Sequence, residues 1–162
     1  MELTAEPLTA SAFEPYGAVL EGPAGPGRSF FDSQLENRRP ASRTSLSISR
    51  LLPLEQLPLR AVLFERHEFS SQSFLPLSVA RYLVVVAPAA PTGGPDAARA
   101  RAFVGRAGQG VTYHAGTWHH SMTVLDAPAL FGVLMWRDGT SGDETMVALP
   151  MPLTVHVPAD QP

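Results

Sequence analysis

Polar and apolar residues alternate through Ser45-Leu46-Ser47-Ile48-Ser49, the two-residue period of a strand with one buried face. Residues 62–69 read as a second strand. Arg81–Ala87 is a continuous run rich in β-branched residues, the pattern of a buried strand. Further strands are expected over residues 101–104, 111–113, 118–125 and 130–136. A short helix is expected over residues 8–14, with Thr9 as its cap before Pro15-Tyr16-Gly17. Residues 22–27 and the Pro/Gly/Ala-rich stretch 88–98 read as exposed loops. Sixteen prolines and thirteen glycines cut the chain into short pieces, which leaves little room for long helices. Many short strands separated by turn signals predict an all-β sandwich or barrel with a few short helices.

The chain has 162 residues, enough for one domain spanning 1–162 with a substantial core. Residues 150–162 read as a Pro-rich tail in which His156 is a surface residue. A net charge of −3 without a basic stripe argues against nucleic acid as a partner. No apolar run is long enough to span a membrane, and the start lacks the basic and apolar regions of a signal peptide. The expected location is therefore cytoplasmic. The absence of cysteine excludes disulfides, thiolate metal ligands and cysteine nucleophiles. All 12 basic residues are arginine, so lysine Schiff-base chemistry is excluded as well. Any anion must be bound by arginine forks, which suit carboxylates.

Three of the five histidines, His114, His119 and His120, fall within seven residues, in a run that also holds Gly108, Gly110 and Gly116. Imidazole is the usual acid, base and metal ligand at neutral pH. In a strand, alternate side chains share a face, so His119 and His120 cannot both point inward. His114 precedes the bend at Gly116 and can fold back toward either; it can also merely cap the turn. Upstream, Glu65 and His67 are two apart and share one strand face. Arg50, Arg81, Arg101 and Arg137 each sit on or at the end of an expected strand, where a guanidinium could pin a carboxylate. Trp118 and Tyr113 read as core or interface aromatics.

The run Gly108, five residues, His114-Ala115-Gly116, two residues, His119 resembles the second motif of the cupin superfamily, with His114 at the position of a proline. The resemblance implies a jelly-roll barrel with His119 pointing inward. The first cupin motif matches Glu65-Arg66-His67 followed by Gln72, with Glu65 and Gln72 at positions that the superfamily fills with histidine and glutamate. This implies a cluster of Glu65, His67, Gln72 and His119, able to hold a divalent metal (nickel, zinc or manganese) or to work without one.

A wider set of segments is similar to the ureidoglycolate lyase family: Phe64-Glu65-Arg66-His67, Gln72-Ser73-Phe74-Leu75-Pro76, Arg81–Ala87, Arg101-Ala102-Phe103 and the run from Gly108 to His120. The similarity extends from Phe13-Glu14-Pro15-Tyr16-Gly17 to Arg137. Beyond it the chain departs: Trp136 precedes the arginine and Gly142-Asp143-Glu144 follows, where the family carries an acidic residue and an Asn-Cys-Asp/Glu stretch. The resemblance implies cleavage of ureidoglycolate to glyoxylate and urea, a step of allantoin and purine breakdown, by a homodimer. That reaction needs a base on the hydroxyl and an acid for the leaving nitrogen. Glu65 or His119 is expected in the first role and His67 or His114 in the second. Arg101, Arg137, Gln72, Arg50 and Arg81 are candidates for binding the substrate. The alternatives are a non-catalytic cupin that binds a small carboxylate, and a lyase acting on a related hydroxy- or ureido-acid.

Overall fold

The computed structural model describes residues 1–159. In chain order the strands and helix are β1 (Glu2–Thr4), β2 (Glu6–Pro7), α1 (Ala10–Phe13), β3 (Gly17–Leu20), β4 (Arg43–Leu51), β5 (Leu59–Arg66), β6 (Gln72–Ser78) and β7 (Arg81–Ala87). They continue with β8 (Arg101–Arg106), β9 (Gly110–Tyr113), β10 (Trp118–His119), β11 (Thr123–Val124), β12 (Ala129–Arg137) and β13 (Thr145–His156). One sheet runs β1-β13-β5-β10-β7-β8-β2, with β11 also pairing β7; the other runs β3-β9-β6-β12-β4. The two sheets face each other as a nearly closed barrel of cupin type, as the sequence predicts.

Strand β7 shows why its sequence is apolar without interruption. Tyr82, Val84 and Val86 pack inside the barrel against Phe103, Phe131 and Val124. Leu83, Val85 and Ala87 pack on the opposite face with Leu59, Phe64, Leu153 and Val155. Both faces are dry, so no polar alternation survives. The short helix is capped as expected, with the Thr9 hydroxyl accepting from the Ala12 amide at 3.3 Å.

Three expectations change. The strand expected over 118–125 is two short strands, because four steps from His119 to Thr123 oppose three from Val86 to Leu83. The extra residue makes a bulge that restores His119 and Thr123 to the ladder. Residues 150–156 are the end of β13 rather than a tail: they pair with β1 in parallel and with β5 in antiparallel. Pro150 and Pro152 lie where the β13–β5 register shifts, so neither takes an amide out of the ladder. Residues 160–162 of that expected tail lie outside the described residues. Finally, β6 carries Pro76 inside a sheet, an arrangement that sequence patterning counts against a strand. Its β9 neighbour stops pairing at Phe74, and the β12 register shifts beside Pro76.

Candidate active site

Four polar side chains meet inside one end of the barrel: Glu65 from β5, His67 just past its end, Gln72 at the start of β6 and His119 from β10. All four are buried, His119 almost completely. Their convergence follows from pairing. His119 lies opposite Glu65 in the ladder, and Gln72 lies opposite Tyr113, whose ring stacks on His119. Two glycines shape this end. Gly116 adopts φ +88° and donates its amide to the His67 carbonyl at 2.8 Å. Gly110 lets β9 approach β6 closely, since a Cβ there would sit 2.7 Å from the Phe74 carbonyl oxygen.

Both imidazoles are oriented the same way. His67 Nδ1 lies 2.8 Å from the carbonyl of Asp143, and His119 Nδ1 lies 2.9 Å from that of Thr117. A carbonyl only accepts, so each Nδ1 carries a proton, and each ring, when neutral, turns an Nε2 lone pair to the interior. His67 Nε2 is buried without a hydrogen-bond partner. His119 Nε2 sits 3.1 Å from Gln72 Oε1 and 3.4 Å from Glu65 Oε1. One ligand atom from each of Glu65, His67 and His119 falls within 4.8 Å of the others. Lone pairs thus face lone pairs in a buried space, an arrangement that a cation relieves. Nitrogen and carboxylate donors suit a divalent transition metal.

Burial pushes His67 below its ordinary value, with the Asp143 hydrogen bond opposing. Burial pushes Glu65 up, but the hydrogen bond and charge of a protonated His119 outweigh it and hold the carboxyl below its ordinary value. Glu144 shifts the other way: partial desolvation at the cavity rim and the neighbouring Glu65 carboxylate raise it.

A cavity of about 280 Å³ opens over this cluster, bordered by His67, Gln72, Ser47, Ser49, Arg137 and Glu144. Ser47 and Ser49 were legible only as strand residues, and Glu144 only as part of a departing tail; nothing local marks them as site residues. Three larger hollows, of about 600, 490 and 360 Å³, lie elsewhere on the surface and touch none of the four donors.

The remaining candidates separate. Arg137 reaches the cavity and pairs with Asp143, with Nε 3.6 Å from Oδ2. Arg50 lies exposed on β4. Arg81 pairs with Asp126 at 2.8 Å at the surface. Arg101 pairs with Glu6 at 2.9 Å, donates to the Ala12 carbonyl and covers Phe103, which pins the N-terminal segment. His114 is not brought to the cluster: the Gly116 turn leaves it outside, 3.5 Å from Glu36. His120 faces away from His119 as alternation requires, with Nδ1 on the Ser121 carbonyl. Trp118 and Tyr113 are buried core aromatics.

The fold and the site define a cupin-type barrel with a buried two-histidine, carboxylate and amide cluster. Residues 1–156 match the family described as ureidoglycolate lyase. The ureidoglycolate lyase of Chelativorans sp. is 34% identical over 166 residues, covering 97% of this chain and 98% of that one. The ureidoglycolate lyase of Pseudomonas syringae pv. tomato is 37% identical over 133 residues, covering 76% of each chain. The chain belongs to the ureidoglycolate lyase family. Among solved structures, an oxalate decarboxylase of Lactobacillus farciminis aligns at TM-score 0.43 and 16% identity, over 83% of this chain but only 31% of that one. Among the described residues no helix is long and apolar enough to cross a membrane.

Proposed function

We propose that this chain cleaves ureidoglycolate to glyoxylate and urea in the cavity above the Glu65/His67/Gln72/His119 cluster. Membership of the family across residues 1–156 supports the substrate. The observation that carries the reading is the composition of the cavity wall: a guanidinium, two hydroxyls and a carboxylate of raised pKa stand over a buried donor set.

The substrate carbon bears a carboxylate, a hydroxyl and a ureido nitrogen. Arg137, with Ser47 and Ser49 beside it, holds the carboxylate by charge-assisted hydrogen bonds. This brings the hydroxyl and the ureido nitrogen both within reach of Glu144, with the hydroxyl oxygen beside the cluster. Glu144 accepts the hydroxyl proton and returns it to the departing nitrogen. The oxygen's electron pair forms the new carbonyl as the carbon–nitrogen bond breaks, so no proton is gained or lost overall. The donor set fits a divalent cation: Glu65, His67, Gln72 and His119 would hold it, and it would supply positive charge beside the oxygen. Glu144 thus takes both proton roles, in place of Glu65 or His119 at the hydroxyl and of His67 or His114 at the leaving nitrogen: the cluster residues are given to the cation, and His114 lies outside the cavity.

The test is release of glyoxylate and urea from racemic ureidoglycolate, by protein treated with chelator and by protein supplied with nickel, zinc or manganese. Turnover in at least one state is expected. No turnover in any state, with glyoxylate still raising the melting temperature, would identify a carboxylate-binding protein instead.

A homodimer is part of the same proposal. Leu46, Ile48 and Leu75 stand exposed on the outer face of the second sheet, with Leu77 beside them. The ladder places Leu134 opposite Leu46, and sets Gly132 between Ile48 and Leu75. Such a largely apolar face, with Arg50 at its edge, can meet its own copy across a twofold axis.

A further inference from the structure

Asp143 lies in the loop between β12 and β13 and is nearly inaccessible to solvent. Its carboxylate accepts the amides of Asp138 at 3.0 Å and Gly139 at 2.8 Å, and is clamped by the guanidinium of Arg39. Its own carbonyl is the group that takes the His67 Nδ1–H. Arg39 comes from the segment before β4, about a hundred residues away in sequence. Its other terminal nitrogen binds Asp138 at 2.7 Å, and its guanidinium lies over the Phe69 ring at 5.1 Å. Phe69 follows His67 by two residues. A single side chain therefore ties two of the loop's three carboxylates, Asp138 and Asp143, to the segment that carries His67.

We infer that Arg39 is a positioning residue for His67: by fixing the loop through Asp138 and Asp143, it holds the Asp143 carbonyl on Nδ1 and so commits the Nε2 lone pair to the site. The chain of contacts has no slack. A planar fork bound to two carboxylates and laid on an aromatic face has few orientations open to it. If the fork is removed, the carboxylate of Asp143 keeps the amides of its own loop and the longer contact with Arg137 at the end of β12, and among the described residues no other hydrogen bond or ion pair ties that loop to residues 36–42. The carbonyl then drifts from His67, the ring can carry its proton on either nitrogen, and a ring protonated on Nε2 offers the site no lone pair. The partners that orient a ligating or catalytic imidazole typically alter affinity or activity by about ten- to a hundredfold. The same loop carries Glu144, so Arg39 also sets the position of the proposed proton carrier. Only the catalytic consequence rests on the lyase reading; the tautomer does not.

The experiment reads the tautomer directly. Nitrogen-15 histidine spectra are recorded on chelated full-length protein at a pH well above the imidazole range, with His67 assigned by the signals lost in His67→Gln. Wild type is expected to show a protonated Nδ1 and an unprotonated Nε2. Arg39→Gln should show a mixture of tautomers, and Arg39→Lys, which keeps the charge, should recover most of the wild-type pattern. Asp143→Asn approaches from the loop side and should shift the tautomer in the same direction as Arg39→Gln. In active protein, Arg39→Gln should lower kcat by about tenfold or more with KM nearly unchanged. A His67 tautomer that stays wild-type in both folded Arg39→Gln and Asp143→Asn overturns the inference. Absence of lyase activity in wild type would overturn the functional reading and leave the tautomer test intact.

Discussion

The imidazole of His119 lies flat against the phenol ring of Tyr113, with centroids 4.1 Å apart and planes 11° apart. The two residues come from opposite sheets, so this stack is a point where the barrel closes around the site. The Tyr113 hydroxyl, by contrast, is buried without a partner. The ring and the hydroxyl therefore contribute in opposite senses. Tyr113→Phe is expected to leave stability unchanged or raise it by up to about 2 kcal/mol, because an unsatisfied buried group is removed. Tyr113→Ala is expected to cost about 3–5 kcal/mol, as loss of a buried ring does. Denaturant melts of the two variants check this, and equal destabilisation by both would refute it.

Glu144 is exposed at the rim and Arg137 is more than half exposed, so neither contributes much to folding. Glu144→Gln should lower kcat by at least about a hundredfold, the usual weight of a general acid–base group, with an unchanged melting temperature. Arg137→Met should raise KM by about ten- to a hundredfold through loss of a charge-assisted bond worth about 1.5–3 kcal/mol. Steady-state kinetics on ureidoglycolate separate the two effects. A Glu144→Gln enzyme with wild-type kcat would remove Glu144 from the mechanism.

Burial holds both His67 and His120 below their ordinary value of 6.5. Between the native values and 6.5 the unfolded chain binds more protons than the native one, so stability rises with pH across that window. The contribution is complete above 6.5 and is lost as pH falls through the depressed native values. Urea melts at a series of pH values should show this slope, and His67→Gln should reduce it. A slope of the opposite sign would mean that these rings gain rather than lose proton affinity on folding.

Ile48 and Leu46 project from the outer face of β4, at 62% and 68% exposure. Ile48→Glu combined with Leu46→Glu puts two like charges opposite their own copies. Light scattering after gel filtration should find a dimer for wild type and a monomer for the double variant, with little loss of monomer stability, since neither side chain is in the core. A wild-type monomer at micromolar concentration would dispose of the dimer.

Residues that shared a strand or a tight turn were legible before folding. Glu65 and His67 are two apart, His119 follows its glycines at fixed spacing, and the burial of Arg81–Ala87 is written in its composition. What escaped depends on contacts between distant segments. Ser47 and Ser49 belong to the site only because β4 borders the cavity, and Glu144 only because Asp143 is clamped by Arg39. His114 misled for the converse reason: five residues separate it from His119, yet a single left-handed glycine at 116 puts it outside the barrel. Strands β6 and β13 were missed because their prolines sit at register shifts, which local patterning cannot foresee.

The parallel pairing of β1 with β13 makes the first and last strands neighbours, with Glu2 beside Thr154 and Thr4 beside His156. On its other side β13 pairs β5, the strand that carries Glu65. During synthesis all four side chains of the cluster therefore leave the ribosome before the strand that seals the sheet of Glu65 and His119. Until residue 156 is available, β5 presents an open hydrogen-bonding edge next to a buried carboxylate, a template for pairing with another chain. Premature termination within β13 is thus a route to aggregation rather than to a smaller working enzyme, and the far end of the chain guards solubility as much as chemistry.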